Sequence, residues 1–160
     1  MPSRAVPLCL ALLAAAPLPA AARPWNGITP GTTTSAEVAQ RFGEPSTKGK
    51  LGGRSALVYK GDQAIDGTRQ AQFFTRDDGR VTEVTVFPSA QLDKEAVEGT
   101  YGKGAQKTFT DDFRPVWVYR AAGVTVFFTR EGVVEAITFK QGDAAPAPRA
   151  SAHTGESPAP

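Results

Sequence analysis

The string Phe73-Phe74-Thr75-Arg76-Asp77-Asp78-Gly79-Arg80-Val81 returns downstream as Phe127-Phe128-Thr129-Arg130-Glu131-Gly132-Val133-Val134. Two aromatics, a threonine, an arginine and an acidic-glycine turn, met twice in 160 residues, imply a unit built twice. That restricts the fold to one in which a unit packs beside its own copy. Two copies are too few for a solenoid, which needs at least three.

The flanking segments carry the same order. Thr34-Ser35-Ala36-Glu37 is a capping-box pattern, in which the threonine hydroxyl and the glutamate carboxylate satisfy each other's free backbone donors. A helix of two to three turns should follow, with Val38 and Phe42 on one face and Gly43 and Pro45 as the stop. After a glycine-rich loop (Gly49-Lys50-Leu51-Gly52-Gly53), three strands are predicted at 55–60, 69–76 and 81–87, with Asp77-Asp78-Gly79 as the turn joining the last two.

In the second copy Asp93 stands for Thr34, Val97 for Val38 and Tyr101-Gly102 for Phe42-Gly43, at a constant offset of 59; Ala96 replaces Glu37. Residues 116–120, 124–130 and 133–140 answer the three strands at offsets of 60, 54 and 53. An offset that changes only in connections is what a duplicated unit shows, because surface loops tolerate insertions and paired strands do not. The predicted fold class is α+β: two tandem α-β-β-β repeats forming an antiparallel sheet, with short helices packed on one face.

The two ends read differently. Arg4, the apolar run Ala5 to Ala16 and Ala20-Ala21-Ala22 beyond two prolines form a secretory signal pattern, with cleavage expected after Ala22. The run is shorter than the about 20 apolar residues of a spanning helix, so no transmembrane segment is expected in the mature chain. Periplasmic or secreted localisation follows. The single cysteine, Cys9, lies inside this segment, so the mature chain has no thiol for a disulfide or a thiolate metal site. From Gly142 onward, Pro, Ala and Ser dominate and little can be buried, which predicts a disordered tail over 142–160. The only histidine, His153, is in it.

The string Thr34-Ser35-Ala36-Glu37-Val38-Ala39-Gln40-Arg41-Phe42-Gly43-Glu44-Pro45 resembles the Gly-Met-Thr-x-x-Glu-Val-x-x-x-Leu-Gly-x-Pro opening of the SmpA/OmlA (BamE-like) outer-membrane assembly lipoproteins. Trp117-Val118-Tyr119, and Val124 to Phe128 followed by the Gly132 turn, are similar to that family's Trp-x-Tyr strand and its alternating second strand. The tandem arrangement looks like β-lactamase inhibitory protein, whose two units form one saddle-shaped, enzyme-binding sheet. The resemblance divides the chain into a signal peptide (1–22), a first BamE-like repeat (23–88), a second (89–141) and the tail. This chain departs from both patterns: Gly31 stands three positions before Thr34 instead of two, and there is no lipidated cysteine and no disulfide.

Strand alternation assigns faces. Val124, Val126 and Phe128 should face the helices, leaving Thr125, Phe127 and Thr129 open. Carried through the repeated string, Phe74 goes inward while Phe73 and Thr75 go outward. Val84 and Val86, with Ile137 and Phe139, read as core; Thr85, Phe87, Thr138 and Lys140 read as open. With Val58 and Val118 under the helices, the open face collects Tyr59, Phe73, Phe87, Trp117, Tyr119 and Phe127. An aromatic-rich sheet face of this kind is the predicted protein-binding surface.

Catalytic patterns are weak. Ser-His-Asp and cysteine chemistry lack a folded histidine and a mature thiol. Asp77-Asp78 and Asp111-Asp112 fall on turns, where acids serve turn geometry. Asp62 to Gly67 lacks the alternating ligands of a calcium loop, and Gly99 to Gly104 does not match a phosphate-binding loop. Arg76 and Arg130 recur beside turns, where pairing with neighbouring acids competes with partner contact. A formal net charge of +2 offers no field for nucleic acid. No cofactor and no metal are expected. The sequence thus predicts a non-enzymatic cell-envelope protein-binding or scaffold module with a protein partner. The alternative is a soluble inhibitor of an extracytoplasmic enzyme such as a hydrolase.

Overall fold

The computed structural model describes residues 22–142, in which eight strands form one sheet, accompanied by two short α-helices and two single 3₁₀ turns. The signal segment with Cys9 and the tail from 143 with His153 lie outside the described residues.

Helix α1 (Ser35–Phe42) starts where the capping box predicts. The Thr34 amide donates to Glu37 Oε2 at 2.7 Å, and the Glu37 amide donates to Thr34 Oγ1 at 3.3 Å. Gly43 ends it at φ 79°, a conformation that side chains resist. Helix α2 (Lys94–Tyr101) is capped by Asp93, which accepts from the Ala96 amide at 2.8 Å, and ends at Gly102, φ 86°. Eight residues are too few for an isolated helix in water, so each depends on what it covers.

What they cover is the sheet β1-β2-β3-β4-β8-β7-β6-β5, antiparallel throughout. The strands are β1 (Thr47–Leu51), β2 (Arg54–Lys60), β3 (Thr68–Thr75), β4 (Val81–Pro88), β5 (Gln106–Phe109), β6 (Pro115–Tyr119), β7 (Val124–Phe128) and β8 (Val134–Lys140). Each half contributes four strands, where three are predicted. The additional ones, β1 and β5, are the outer edges, and every residue in them is exposed. A strand with no buried face shows no period-2 pattern. The glycine-rich loop is in fact β1 plus its turn: Gly52 and Gly53 lie at φ 57° and 79°, as a two-residue hairpin with both central residues left-handed requires.

The seam is β4 against β8, where Val84 faces Phe139, Thr85 faces Thr138 and Val86 faces Ile137. Directly opposed residues share a face. One face therefore carries Leu57, Tyr59, Ala71, Phe73, Val84 and Val86 into Ile137, Phe139, Val124, Val126, Trp117 and Tyr119, all buried in one hydrophobic cluster with Val38 of α1 and Val97 of α2. Under α1 the rings of Phe42, Tyr59 and Phe73 lie 5.6–6.0 Å apart. Next to α2, Tyr101 meets Tyr119 at 5.4 Å.

This packing corrects four of the six proposed face residues. Tyr59 and Phe73 are 0% exposed, Trp117 5% and Tyr119 7%, all in the core. Phe74 is moved the other way, from the expected core to the opposite face, and Val58 and Val118 are not beneath the helices. For Phe73 and Phe74 the cause is a register slip of one residue, which exchanges the faces of a whole strand. Matching the double phenylalanines aligns Phe73 with Phe127. In the sheet, however, Phe73 faces Val84 while Val126 faces Ile137, and Phe74 faces Glu83 while Phe127 faces Ala136. Phe73 therefore occupies the place of Val126, at the offset of 53 that also relates the glycine turns. Both hairpins then pass through a bulge, at Phe74/Thr75 and at Phe127/Phe128. For β2 and β6, the large rings fill the space beneath the short helices. The Tyr59 hydroxyl donates to the Gly43 carbonyl at 2.9 Å, and the Tyr119 hydroxyl donates to that of Gly102 at 3.0 Å.

Candidate functional site

The helices cover one face of the sheet, and the other is bare of any described element. Its residues come from the opposite strand parity: Ala56 and Val58 on β2, Gln70, Gln72 and Phe74 on β3, Glu83, Thr85 and Phe87 on β4, then Ala136, Thr138 and Lys140 on β8, Thr125 and Phe127 on β7, and Val116 and Val118 on β6.

A charged cluster sits at the seam. Glu83, its side chain 10% exposed, accepts from Arg54 Nη1 at 2.9 Å, and Lys140 Nζ stands 3.0 Å from the same oxygen. The second carboxylate oxygen accepts from Arg54 Nη2 at 3.4 Å and from Thr85 Oγ1 at 3.3 Å. Thr85 and Thr138 hydroxyls meet across the seam at 3.0 Å. The Arg54 guanidinium lies 3.8 Å above the Phe74 ring, in cation–π contact, and this is why Phe74 is only 5% exposed on a face that no helix covers.

Burial alone would push the Glu83 carboxyl up. The hydrogen bonds from Arg54 and Lys140, reinforced by their charges, outweigh it and hold Glu83 below the ordinary carboxylate value. The cluster is thus an ionised, doubly paired anchor, with its two cations half in solvent. Farther along the face, Arg114 makes a second bridge between Asp112, at 2.8 Å, and Glu135.

Of the six residues expected on this face, Phe87 and Phe127 are there, both half-buried. Thr85, Thr138 and Lys140 also lie where alternation places them. The sequence reading missed Arg54, Phe74 and Glu83. A signal for Glu83 exists, since it is the one charge in the otherwise apolar and threonine run Val81 to Phe87. Gln70 and Gln72, alternating with Ala71 and Phe73, likewise mark Phe73 as the inward ring.

Among the described residues no three His, Cys, Asp or Glu side chains stand together as metal ligands, and no helix is long and apolar enough to cross a membrane. A cleft elsewhere, beside α1, is lined by Phe42, Glu44, Asp62, Ile65 and Asp66 among others, and is acidic.

Neither a protein-family model nor a curated protein matches this sequence. A solved structure does match: the crystal structure of a DUF4309 family protein (YjgB) from Bacillus subtilis, with a TM-score of 0.54 and 18% identity, over 72% of this chain and 83% of that one. At such identity the likeness is one of fold.

Proposed function

We propose that this chain is a non-enzymatic protein-binding or scaffold module of the cell envelope, acting through the uncovered face of its sheet. The observation that carries the reading is the face itself: eight strands wide, without a covering element, combining half-buried Val58, Phe87, Val118 and Phe127 with a fixed charge cluster at its centre. Apolar patches broken by anchored charges suit a protein partner, the apolar part supplying affinity and the charges register. The corrected face residues are Val58, Phe74, Phe87, Val118 and Phe127, with Arg54, Glu83 and Lys140.

We also infer that the chain is a duplicated α-β-β-β unit with an added edge strand in each copy. Thr34 and Asp93 cap the two helices, Gly43 and Gly102 end them, and Tyr59 and Tyr119 bond those two glycine carbonyls, each pair offset by 59 or 60. Thr85 and Thr138, offset by 53, face each other at the seam, as equivalent residues do beside a twofold axis. The export reading of the N-terminus puts the protein in the periplasm or outside the cell.

The test is a doubly substituted protein, Val58→Glu with Phe127→Glu. Both sites are half-buried on the uncovered face, so cooperative unfolding should persist while co-fractionation with envelope complexes is lost. Retained co-fractionation by a folded double variant refutes the face assignment. Recovery of the wild type in a soluble pool with one bound hydrolase replaces the scaffold reading with the inhibitor reading.

A further inference from the structure

Three hairpin turns share one hydrogen-bond pattern. Arg76 N donates to Arg80 O and Gly79 N to Arg76 O; Thr129 N donates to Val133 O and Gly132 N to Thr129 O; Thr110 N donates to Arg114 O and Phe113 N to Thr110 O. The fourth residue is left-handed in each, at φ 79° for Gly79, 84° for Gly132 and 61° for Phe113. The first and third turns even share their sequence, Asp77-Asp78-Gly79-Arg80 against Asp111-Asp112-Phe113-Arg114, with phenylalanine in the glycine's place.

A left-handed backbone is costly for any residue with a Cβ, and most of all for a bulky one. Burial does not compensate here, since Phe113 is 82% exposed. Nearby, Phe109 is 66% exposed, at the end of edge strand β5. The tip is nonetheless held firmly. The Thr110 hydroxyl donates to Asp112 and accepts from the Arg114 amide, Arg114 bridges Asp112 and Glu135, and Arg130 reaches the Asp112 carbonyl. In the first half the corresponding β1–β2 connection is the plain Gly52-Gly53 turn. Strain retained at an exposed, rigid tip, where a glycine twin shows the relaxed solution, is the mark of a position kept for contact.

We propose that Phe113, with Phe109, is an aromatic anchor that inserts into an apolar pocket of a protein partner whose rim is basic. The rim follows from charge. Among the described residues Asp111 is exposed and carries no ion pair, and the carboxylates of Asp111, Asp112 and Glu135 outnumber the guanidiniums of Arg114 and Arg130 three to two, so the tip is net negative. An anionic bilayer repels such a tip, and so does the acidic cleft beside α1 on a second copy of this chain. The anchor rests on the protein-binding reading above but uses a different surface, so each can fail alone.

The test begins with stability. Phe113→Asn and Phe113→Gly should fold, and the Asn variant, with relaxed backbone, should raise the folding equilibrium constant about three- to tenfold in urea titration. A loss of stability in both variants shows that the ring supports the fold and overturns the proposal. The second arm places a photoreactive phenylalanine analogue at 113 in the full-length protein in cells and maps the cross-linked peptide. A single protein, cross-linked at an apolar site flanked by Lys or Arg, competed by co-expressed wild type but not by co-expressed Phe113→Asn, and lost when Asp111→Lys is added to the analogue-bearing chain, supports the anchor. Cross-links to the same chain, to lipid or scattered over many proteins overturn it, as does binding of the wild type to vesicles of 3:1 phosphatidylcholine and phosphatidylglycerol that Phe113→Asn removes. If Val58→Glu with Phe127→Glu abolishes partner capture but leaves the 113 cross-link in place, the two surfaces engage independently; capture and cross-link that both survive the double substitution implicate the hairpin alone.

Discussion

Replacing Glu83 by glutamine isolates the charge at the centre of the uncovered face while keeping its shape and an acceptor. The two cations it holds are 51% and 59% exposed, so on losing the carboxylate they rehydrate and are not stranded. The cost is therefore well below the about 3–5 kcal/mol of orphaning a buried ion. Charge-assisted hydrogen bonds contribute about 1.5–3 kcal/mol when sheltered, and solvent screening at the cation ends brings the expected loss to about 1–2 kcal/mol at pH 7. The difference must depend on pH in one direction. Glu83 is held below 4.5 in the folded chain, so its contribution is complete above that value and is lost as pH falls through the lower folded value. Urea unfolding of wild type and Glu83→Gln at pH 7, 5, 4 and 3 reads this directly. Other carboxyls held low, at Glu37, Asp112 and Glu131, decline equally in both proteins and cancel. A gap that is present at pH 7 and narrows below about pH 4.5 supports the pairing. A gap that stays constant to pH 3, or a glutamine variant more stable than wild type, refutes it.

Three further substitutions check the architecture. Phe73→Ala removes a fully buried ring beneath α1 and should cost about 3–5 kcal/mol, while Phe127→Ala, on the uncovered face, should cost less than about 1.5 kcal/mol; equal losses in thermal or urea unfolding contradict the one-residue register. Thr34→Ala removes the cap oxygen of α1 and should cost about 1 kcal/mol, with earlier hydrogen exchange at Glu37 and Val38; an unchanged midpoint means that packing of Val38 alone holds the helix.

The parts of the fold that could be read from the residues are those whose causes are local. Thr34 and Glu37 define the start of α1 because both halves of the capping box lie within one turn, and Gly43 defines its end. Inward and outward sets were legible wherever polar residues alternate with apolar ones, as in Val124 to Phe128. They failed in β3, where a repeated string replaced alternation as the guide, and in β2 and β6, where valines alternate with aromatic rings and the pattern does not say which set the helices cover. Phe73-Phe74 and Phe127-Phe128 look equivalent, yet the strand pairing sets them one residue apart, and only the partner strands determine which reading holds. The edge strands β1 and β5 were invisible because they bury nothing. The seam cluster was invisible for a different reason: Arg54, Glu83 and Lys140 are far apart along the chain, and they meet only once β4 has paired with β8.

That pairing also ties the uncovered face to stability. Glu83 and Lys140 are opposed residues of the two seam strands, so their bridge spans the junction between the halves, and the Thr85–Thr138 hydroxyl contact does so again two pairs along. A partner seated over the seam removes water from Arg54 and Lys140, which are half in solvent, and moves their attraction for Glu83 toward the stronger values of a sheltered site. Binding to this face is consequently linked to the cohesion of the two halves, because any ligand that takes the folded chain alone stabilises it by mass action. The same geometry makes Glu83 a poor position for probing contact by itself. A loss of binding in Glu83→Gln mixes seam stability with recognition, whereas Val58 on β2 and Phe127 on β7 take no part in the β4–β8 pairing and report more directly on recognition.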